Sequence, residues 1–322
     1  MKLTLKASLA LLLTSLGTSV LAQSYPTKPV RVVVGFAPGG ANDTLARIVS
    51  GELGKNLGQT LIVDNRPGAG GTLGADVVAK AAPDGHTLLL GSTGTNGIAP
   101  SLYAKLPYDQ MKDLAPVALV ARSANLVVVN PSLPAKNIKE LVALAKSQPG
   151  KLNYASSGAG STLHLAMELF KSMAGVSIVH VPYKGDALAM ADVMVGYVDM
   201  SLLPIPPALP QVKAGKLRVL AVSSAKRMST VPDIPTVAES GVPGYDFSSW
   251  YGVFATGGTS PEIVERLSQE VRKVVALPNV RTQFLAQGVE PSTNTPAEFR
   301  RMVGDEIAKW GKVVKATGVK IE

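Results

Sequence analysis

Three glycine-rich segments, each between an apolar strand-like run and a helix-like stretch, constrain this chain more than any other feature. They read Phe36-Ala37-Pro38-Gly39-Gly40, Pro67-Gly68-Ala69-Gly70-Gly71 and Ser157-Gly158-Ala159-Gly160-Ser161. Glycine lets a backbone approach a ligand closely, and a helix start presents unpaired N–H groups at the positive end of its dipole. A single such junction is equally typical of an ordinary tight turn, but three in one chain favour a site for an anion.

The first residues predict a secretory signal peptide over residues 1–22. Lys2 and Lys6 precede an apolar run from residue 7 to residue 13, and Val20-Leu21-Ala22 places small residues for cleavage after Ala22. The polar residues between positions 14 and 19 interrupt the apolarity that a membrane anchor requires. The chain has no cysteine, so it offers no disulfide, no thiolate ligand and no attachment point for a lipid. We therefore predict an exported, soluble protein of the periplasm.

Charge and motifs argue against nucleic acids and against bound cofactors. Removal of the two signal lysines lowers the formal net charge from +9 to +7, and basic pairs such as Arg300-Arg301 are too short for a nucleic-acid footprint. The segment from Gly68 to Gly74 has Leu73 where a dinucleotide fingerprint needs its third glycine, and no Walker lysine is present. The aspartates are scattered without metal-binding spacing, so we predict neither metal nor cofactor.

The pattern of elements predicts an α/β protein with two lobes. Apolar runs at 30–35, 60–65 and 86–91 alternate with helical stretches, which is typical of a mostly parallel sheet flanked by helices. Apolar spacing predicts helices over residues 42–53, 161–173, 186–195 and 261–275, among others. Ligands of such sheets bind beyond the carboxyl ends of the strands, where the glycine-rich segments lie. A long apolar passage broken at 122–125 and a second one at 249–255 predict two crossings that form a two-strand hinge. The predicted division is residues 23–122 plus 251–322 for lobe 1 and residues 123–250 for lobe 2, with a cleft between them.

The three histidines decide whether a hydrolase is plausible. His86 follows turn residues and His180 lies inside an apolar strand, so both favour structural roles. His164, in the first turn of the helix after the third glycine segment, is the better candidate for a site, but a single hydrogen bond is more typical of it than general-base catalysis. No Gly-x-Ser-x-Gly elbow accompanies it. A hydrolase is therefore the weakest alternative, and we predict no catalysis.

Hydroxyl and amide groups around the third segment suit a carboxylate. Ser157, Ser161 and Thr162 surround Gly158 and Gly160 at a predicted helix start. Lys184, after the next strand, is a further candidate, although an exposed lysine is the commoner outcome. Ser92 and Thr93 face the same cleft from the first lobe, so each lobe can hold one acid group. Asp43 is also a candidate ligand-binding residue, although it lies close to a helix start, where capping is its ordinary role.

Several motifs in order along the mature chain resemble those of one family. They are Tyr25-Pro26-Thr27-Lys28-Pro29-Val30-Arg31, Pro38-Gly39-Gly40, Asn65-Arg66-Pro67-Gly68-Ala69-Gly70-Gly71, Pro83-Asp84-Gly85, Leu106-Pro107-Tyr108-Asp109, His180-Val181-Pro182-Tyr183-Lys184-Gly185 and Pro235-Thr236-Val237-Ala238-Glu239. Together they resemble the Bug family of periplasmic binding proteins of tripartite tricarboxylate transporters.

This resemblance implies a two-lobed periplasmic binding protein fold, similar to type II, that closes on a small organic anion and delivers it to a membrane permease. It implies that backbone amides and ordered water from the two first-lobe loops hold one carboxylate, while the far end of the ligand meets the second lobe. Carried onto matching positions, it points to residues 36–40, Gly70, Gly71, Ser92, Thr93 and 157–162.

Asp186 stands where many of the relatives that this chain resembles have glycine. If it faces the cleft, it disfavours a second negative group, which favours a mono- or dicarboxylate or an amino-acid-like ligand over a tricarboxylate; a helix cap is the ordinary alternative. The resemblance also leaves open a sensor that signals through a membrane receptor. We expect a monomer.

Overall fold

The computed structural model describes residues 25–319 as an α/β protein with two sheets. The predicted signal peptide lies outside the described residues. Helices flank both sheets, and their bounds are α1 (Ala41–Leu57), α2 (Thr72–Ala79), α3 (Ala99–Leu102), α4 (Ile138–Ser147), α5 (Thr162–Ala174), α6 (Asp186–Val195), α7 (Ile205–Lys213), α8 (Pro261–Ala276), α9 (Pro278–Ala286) and α10 (Pro296–Thr317). A 3-10 turn covers Ala69–Gly71, and a π-helical turn covers Thr93–Ile98.

The first sheet has six strands in the order β11-β4-β10-β3-β1-β2. Strand β1 pairs in parallel with β2 and β3, whereas β10 pairs antiparallel with β3 and β4. Strands β1 to β4 therefore share one direction, and β10 and β11 run against them. The strands are β1 (Val30–Val34), β2 (Leu61–Asn65), β3 (Thr87–Ser92), β4 (Leu114–Ser123), β10 (Ser249–Thr256) and β11 (Glu290–Pro291).

The second sheet has five strands in the order β7-β6-β8-β5-β9. Strand β5 pairs antiparallel with β8 and β9, and β6 pairs in parallel with β7 and β8. Four of its strands therefore share one direction. The strands are β5 (Asn125–Val129), β6 (Asn153–Ser156), β7 (Val179–Pro182), β8 (Met200–Pro204) and β9 (Arg218–Val222). The predicted architecture of two lobes with flanked, mostly parallel sheets is confirmed. Each sheet is mixed, because β10 and β11 run against the other strands of the first sheet and β5 runs against the other strands of the second.

The chain passes between the sheets at the two predicted places. Strand β4 ends at Ser123 in the first sheet and β5 begins at Asn125 in the second, with buried Ala124 between them. Strand β10 begins at Ser249, which pairs with Ser123. The two crossings are thus neighbours. The assignment of residues 23–122 plus 251–322 and of 123–250 to separate lobes stays a prediction.

Apolar patterning accounts for the elements. All five residues of β5 are buried, as a strand covered on both faces requires. Helix α1 continues beyond the predicted end to Leu57, where Gly58 adopts the left-handed conformation at φ 68°. Helices α7 and α9 were not anticipated; each begins with proline in its first turn, which is compatible with a helix start.

Helix α10 packs against both lobes. It contacts β4 of the first sheet and α5 of the second lobe. Trp310 is fully buried and meets Phe247 edge to face, with ring centroids 5.8 Å apart, inside the core that contains Leu165 and Met167. Within residues 25–319, no helix combines the length and the apolarity needed to cross a bilayer.

Candidate ligand-binding cleft

A cavity of about 490 Å³ lies between the lobes, at the carboxyl ends of strands from both sheets. The first-lobe elements that line it are the loop after β1, the start of α1 and the turn after β3. The second-lobe elements are the loop after β6, the starts of α5 and α6, and the segment joining β8 to α7. Its lining includes Phe36, Ala41, Asn42, Ser92, Thr93, Gly94, Ser123, Ala124, Asn125, Ser157, Ser161, Thr162, Leu163, Asp186 and 204–207, together with 249–251 and 287–289.

The start of α1 presents backbone donors to this cavity. Ala41 and Asn42 are the first two helical residues, so their N–H groups have no partner within the helix. Gly40 precedes them in an extended conformation and provides no side chain to cap them. Because the helix dipole is positive at this end, the wall formed by Ala41 and Asn42 favours an anion.

Asp43 holds the first glycine loop in place and does not line the cavity. Its carboxylate accepts hydrogen bonds from the Gly39 amide (2.9 Å) and from Asn65 Nδ2 (3.0 Å), and it pairs with Arg47 (2.9 Å). The hydrogen bond from Arg47 lowers the pKa of Asp43 to about 2. Asn65 also donates to the Phe36 carbonyl at 3.0 Å, so the same network fixes the loop at both ends.

The second glycine loop supports the first one from behind. Neither Gly70 nor Gly71 is in the cavity lining. The Thr95 hydroxyl donates to the Gly70 carbonyl at 2.9 Å, and Gly71 has φ 93° with Phe36 and Thr95 against its Cα. Ala37, Pro38, Gly39 and Gly40 are exposed beside the cavity and are also outside its lining.

Ser92 and Thr93 line the cavity at the end of β3. The Ser92 amide donates to Asn96 Oδ1 at 3.0 Å, and the Thr93 hydroxyl accepts from the Trp250 amide at 2.7 Å. Thr93 therefore links the cavity wall to β10, the strand that returns from the second lobe.

In the third glycine loop, Ser157, Ser161 and Thr162 line the cavity, whereas Gly158 and Gly160 do not. The Ser161 hydroxyl caps α5 by accepting from the His164 amide at 3.2 Å. The Gly160 amide donates to His164 Nδ1 at 3.0 Å. Two of the loop's donors and acceptors are thus used to hold its own shape.

His164 is buried behind this loop in an aromatic stack and is not part of the lining. Its ring lies 3.9 Å from that of His180, which in turn stacks on Tyr154 at 4.9 Å. His180 Nε2 contacts the Ser156 hydroxyl at 2.6 Å. Burial lowers the pKa of His164, and burial followed by the neighbouring His164 lowers the pKa of His180 to about 4. Neutral rings are therefore stacked beneath the loop.

Asp186 and Lys184 are placed differently. Asp186 is the first residue of α6 and lines the cavity, and its Oδ1 is buried without a hydrogen-bond partner. Lys184 is exposed and does not belong to the lining. Contact with a ligand stays a prediction for every residue that the sequence indicated.

Several residues that line the cavity were not predicted from the sequence. Ala41 and Asn42 directly follow the first loop, and Asn125 and Tyr251 lie at the crossings, so position along the chain was an available signal for them. The segment from Pro204 to Pro207 gave a weaker signal in the sequence, since Pro206 and Pro207 follow a buried strand and are compatible with a helix start.

The described lining contains two ionisable side chains, Asp186 and Tyr251, and no Lys, Arg or His. Burial raises the pKa of Tyr251. Within residues 25–319, no group of three or more histidine or acidic side chains is arranged to hold a metal ion. In this lining, the groups that favour an anion are the main-chain dipole at the start of α1 and hydroxyl donors such as Ser92 and Ser157.

Two α/β lobes joined by adjacent crossings, with a cavity between them rimmed by helix starts, define a two-lobed solute-binding protein. Residues 45–319 match the family described as "Tripartite tricarboxylate transporter family receptor". A curated relative, "Protein BugT" of Bordetella pertussis, is 38% identical over 304 residues, which is 94% of this chain and 93% of the relative. The chain belongs to this receptor family, and the resemblance to Bug proteins is confirmed.

Solved structures agree with this membership. "R. palustris Rpa4515 with adipate" is 39% identical with a TM-score of 0.76 and covers 92% of this chain and 99% of its own. "Structure of periplasmic binding protein BugD" is 34% identical with a TM-score of 0.73, covering 92% and 100%. "MatC (Rpa3494) from Rhodopseudomonas palustris with bound malate" is 36% identical with a TM-score of 0.72, covering 90% and 100%.

Proposed function

We propose that this chain is a periplasmic receptor that captures a small organic carboxylate in the interlobe cleft and delivers it to the membrane permease of a tripartite tricarboxylate transporter. Transfer of an anion from water into a protein costs free energy unless hydrogen-bond donors replace the water. In this cleft, main-chain N–H groups are such donors. The uncapped start of α1, with Ala41 and Asn42 in the cavity wall, is the observation that carries the proposal. Solved relatives described with adipate and with malate support the ligand class.

Each lobe has a distinct part in this proposal. The amides of Ala41 and Asn42 hold the carboxylate, and the hydroxyls of Ser92, Ser157 and Thr162 orient the rest of the ligand. Closure about the two crossings buries the ligand between the lobes. The receptor works as a monomer without cofactor or catalysis, and it reaches the periplasm after cleavage at Ala22.

Removing one amide from the α1 start tests this proposal. Proline is accepted as the first residue of a helix and has no N–H, and the extended Gly40 before it (φ −81°, ψ 172°) is the conformation that a following proline requires. Ala41→Pro therefore deletes a donor while keeping the helix. Ala41→Val adds similar bulk and keeps the N–H, so it is the matched control.

Calorimetric titration with a panel that includes adipate and malate gives the readout. We expect Ala41→Pro to weaken binding of the best ligand by about tenfold or more relative to Ala41→Val, equivalent to the loss of about 1.4 kcal/mol or more. Equal affinities for the two variants would show that this amide does not hold the carboxylate. Folded protein that binds no carboxylate would contradict the function itself.

A further inference from the structure

The two walls of the cleft differ in charge. The first-lobe wall presents the positive end of α1 without a capping side chain. The second-lobe wall contains Asp186, the only acidic side chain in the described lining. No lysine, arginine or histidine in that lining neutralises it, and Lys184, two residues away, is exposed and outside the lining.

Asp186 also does not cap its helix. It is the first residue of α6, but Gly185 is the N-cap and no side-chain cap bond forms there. Its Oδ1 is buried without a partner, although most buried polar atoms in proteins are hydrogen-bonded. Burial raises the pKa of this carboxyl, and a hydrogen bond from the Ser157 side chain opposes that rise without cancelling it. Oδ1 itself has no protein donor, so this oxygen is suited to a donor on the ligand.

We propose, on the basis of the carboxylate-binding function above, that Asp186 selects amino carboxylates: the ligand's carboxylate lies at the start of α1 and its ammonium group at Asp186. A dicarboxylate of the same length places a second negative charge at the same wall. Juxtaposed like charges are strongly unfavourable in a desolvated site, whereas an ammonium supplies both the opposite charge and the missing hydrogen-bond donor. Asp186 is thus a specificity-determining residue.

Matched pairs of linear ligands test this selectivity. Succinate is compared with γ-aminobutyrate, glutarate with δ-aminovalerate, and adipate with ε-aminocaproate, so that each pair differs chiefly in the terminal group. Calorimetric titration of the ligand-free protein at neutral pH measures the affinity for each member. We expect the amino member of the best-bound pair to bind at least about tenfold more tightly than its diacid.

The variant Asp186→Asn removes the charge while keeping the size of the side chain. It should abolish the preference for the amino member, and Asp186→Ser should do the same with a smaller side chain. Asp233→Asn is the control, because Asp233 is an exposed second-lobe aspartate outside the cavity lining, and the preference should persist in it. Thermal unfolding of each variant confirms that it is folded before titration.

The outcomes separate this inference from the function on which it rests. If the wild-type protein binds a diacid as well as its amino partner, or if the preference survives in Asp186→Asn, the role of Asp186 is wrong and the carboxylate receptor stands. If Asp186→Asn weakens binding of a diacid, Asp186 donates a proton to the ligand and the inference is overturned as well. If no member of any pair binds to folded protein, both proposals fail.

Discussion

Gly39 and Gly71 show how the same backbone conformation has different consequences in different surroundings. Gly39 has φ 89° and nothing within 4 Å of the position that a Cβ would occupy. Gly71 has φ 93°, but its Cβ would press on the Thr95 hydroxyl and, at 3.0 Å, on the Phe36 ring. The first residue needs glycine for conformation alone, and the second also needs it for space.

Gly71→Ala should therefore destabilise the protein more than Gly39→Ala. Backbone strain costs about 1 kcal/mol in either variant, and overpacking at Gly71 adds roughly 1–3 kcal/mol. Urea denaturation followed by circular dichroism measures the difference in the free energy of unfolding. Similar losses in the two variants would show that Thr95 and Phe36 yield to the added methyl group.

The stacked pair of His164 and His180 makes stability depend on pH. Burial and mutual proximity hold the pKa of His180 at about 4, below its ordinary value of 6.5. Between these values the unfolded chain binds more protons at this histidine than the folded chain does. The stability that depends on neutral His180 is therefore fully present above about pH 6.5 and is lost as the pH falls toward 4. Protonation of His164 Nδ1 would also remove the acceptor of the Gly160 amide.

His180→Phe should reduce this pH dependence. Phenylalanine keeps an aromatic ring between His164 and Tyr154 but has no proton to bind. Each proton removed from the linkage lowers the slope by at most about 1.4 kcal/mol per pH unit. Urea denaturation at several pH values from 7.5 down to 4.5 compares the two proteins; parallel curves would show that His180 does not contribute to the slope.

Helix α10 is fixed at its beginning by a complete capping box. The Thr295 hydroxyl accepts from the Glu298 amide at 3.3 Å, and the Glu298 carboxylate accepts from the Thr295 amide at 2.9 Å. Helix α8 has only a single weak cap, in which the Ser260 hydroxyl accepts from the Ile263 amide at 3.4 Å. The two helix starts therefore differ in the number of backbone donors that are satisfied.

Thr295→Ala should cost about 1–2 kcal/mol of stability, whereas Ser260→Ala should cost less. The comparison is informative because both caps precede a proline at the first helical position. Thermal unfolding and urea denaturation of both variants measure the effect. A larger loss for Ser260→Ala would show that the Thr295 hydroxyl contributes less to its helix start than the Ser260 hydroxyl does to the start of α8.

The whole molecule brings its lobes together at several points around the cleft. Gly288, in the first-lobe turn after α9, lies against Pro206 of the second lobe. The Ser229 hydroxyl donates to the Glu290 carboxylate at 2.6 Å, and helix α10 adds the Trp310 contact to the second-lobe core. We expect a movement of one lobe relative to the other to change the surroundings of the crossings, and Trp250 lies beside one of them.

The two tryptophans provide a direct test of this arrangement. Trp250 lines the cavity on β10, whereas Trp310 is buried away from it on α10. A ligand should change the intrinsic fluorescence of the protein, and Trp250→Phe should remove most of that change. Trp310→Phe is the control and should retain it. A signal that survives in Trp250→Phe and disappears in Trp310→Phe would place the ligand-induced movement at α10 instead.

The order and bounds of most elements follow from local patterns in the sequence. The helix over 186–195 was predicted at its observed bounds, and those near 162–174 and 261–276 within a residue or two, because apolar spacing and capping residues are read within a few residues. The sequence also placed the glycine loops at strand ends and the crossings at 122–125 and 249–255. These features depend on residues that are close together along the chain.

Which residues line the cleft depends on contacts between residues that are far apart along the chain. The sequence could not show that Asp43 is tied to Asn65, that the second glycine loop packs behind Phe36, or that His164 stacks on His180 behind the third loop. Nor could it show that Pro204 to Pro207 and Gln287 to Val289 complete the wall. Local chemistry determined which groups could bind an anion, whereas the packing of the two lobes decided which of them face the cavity.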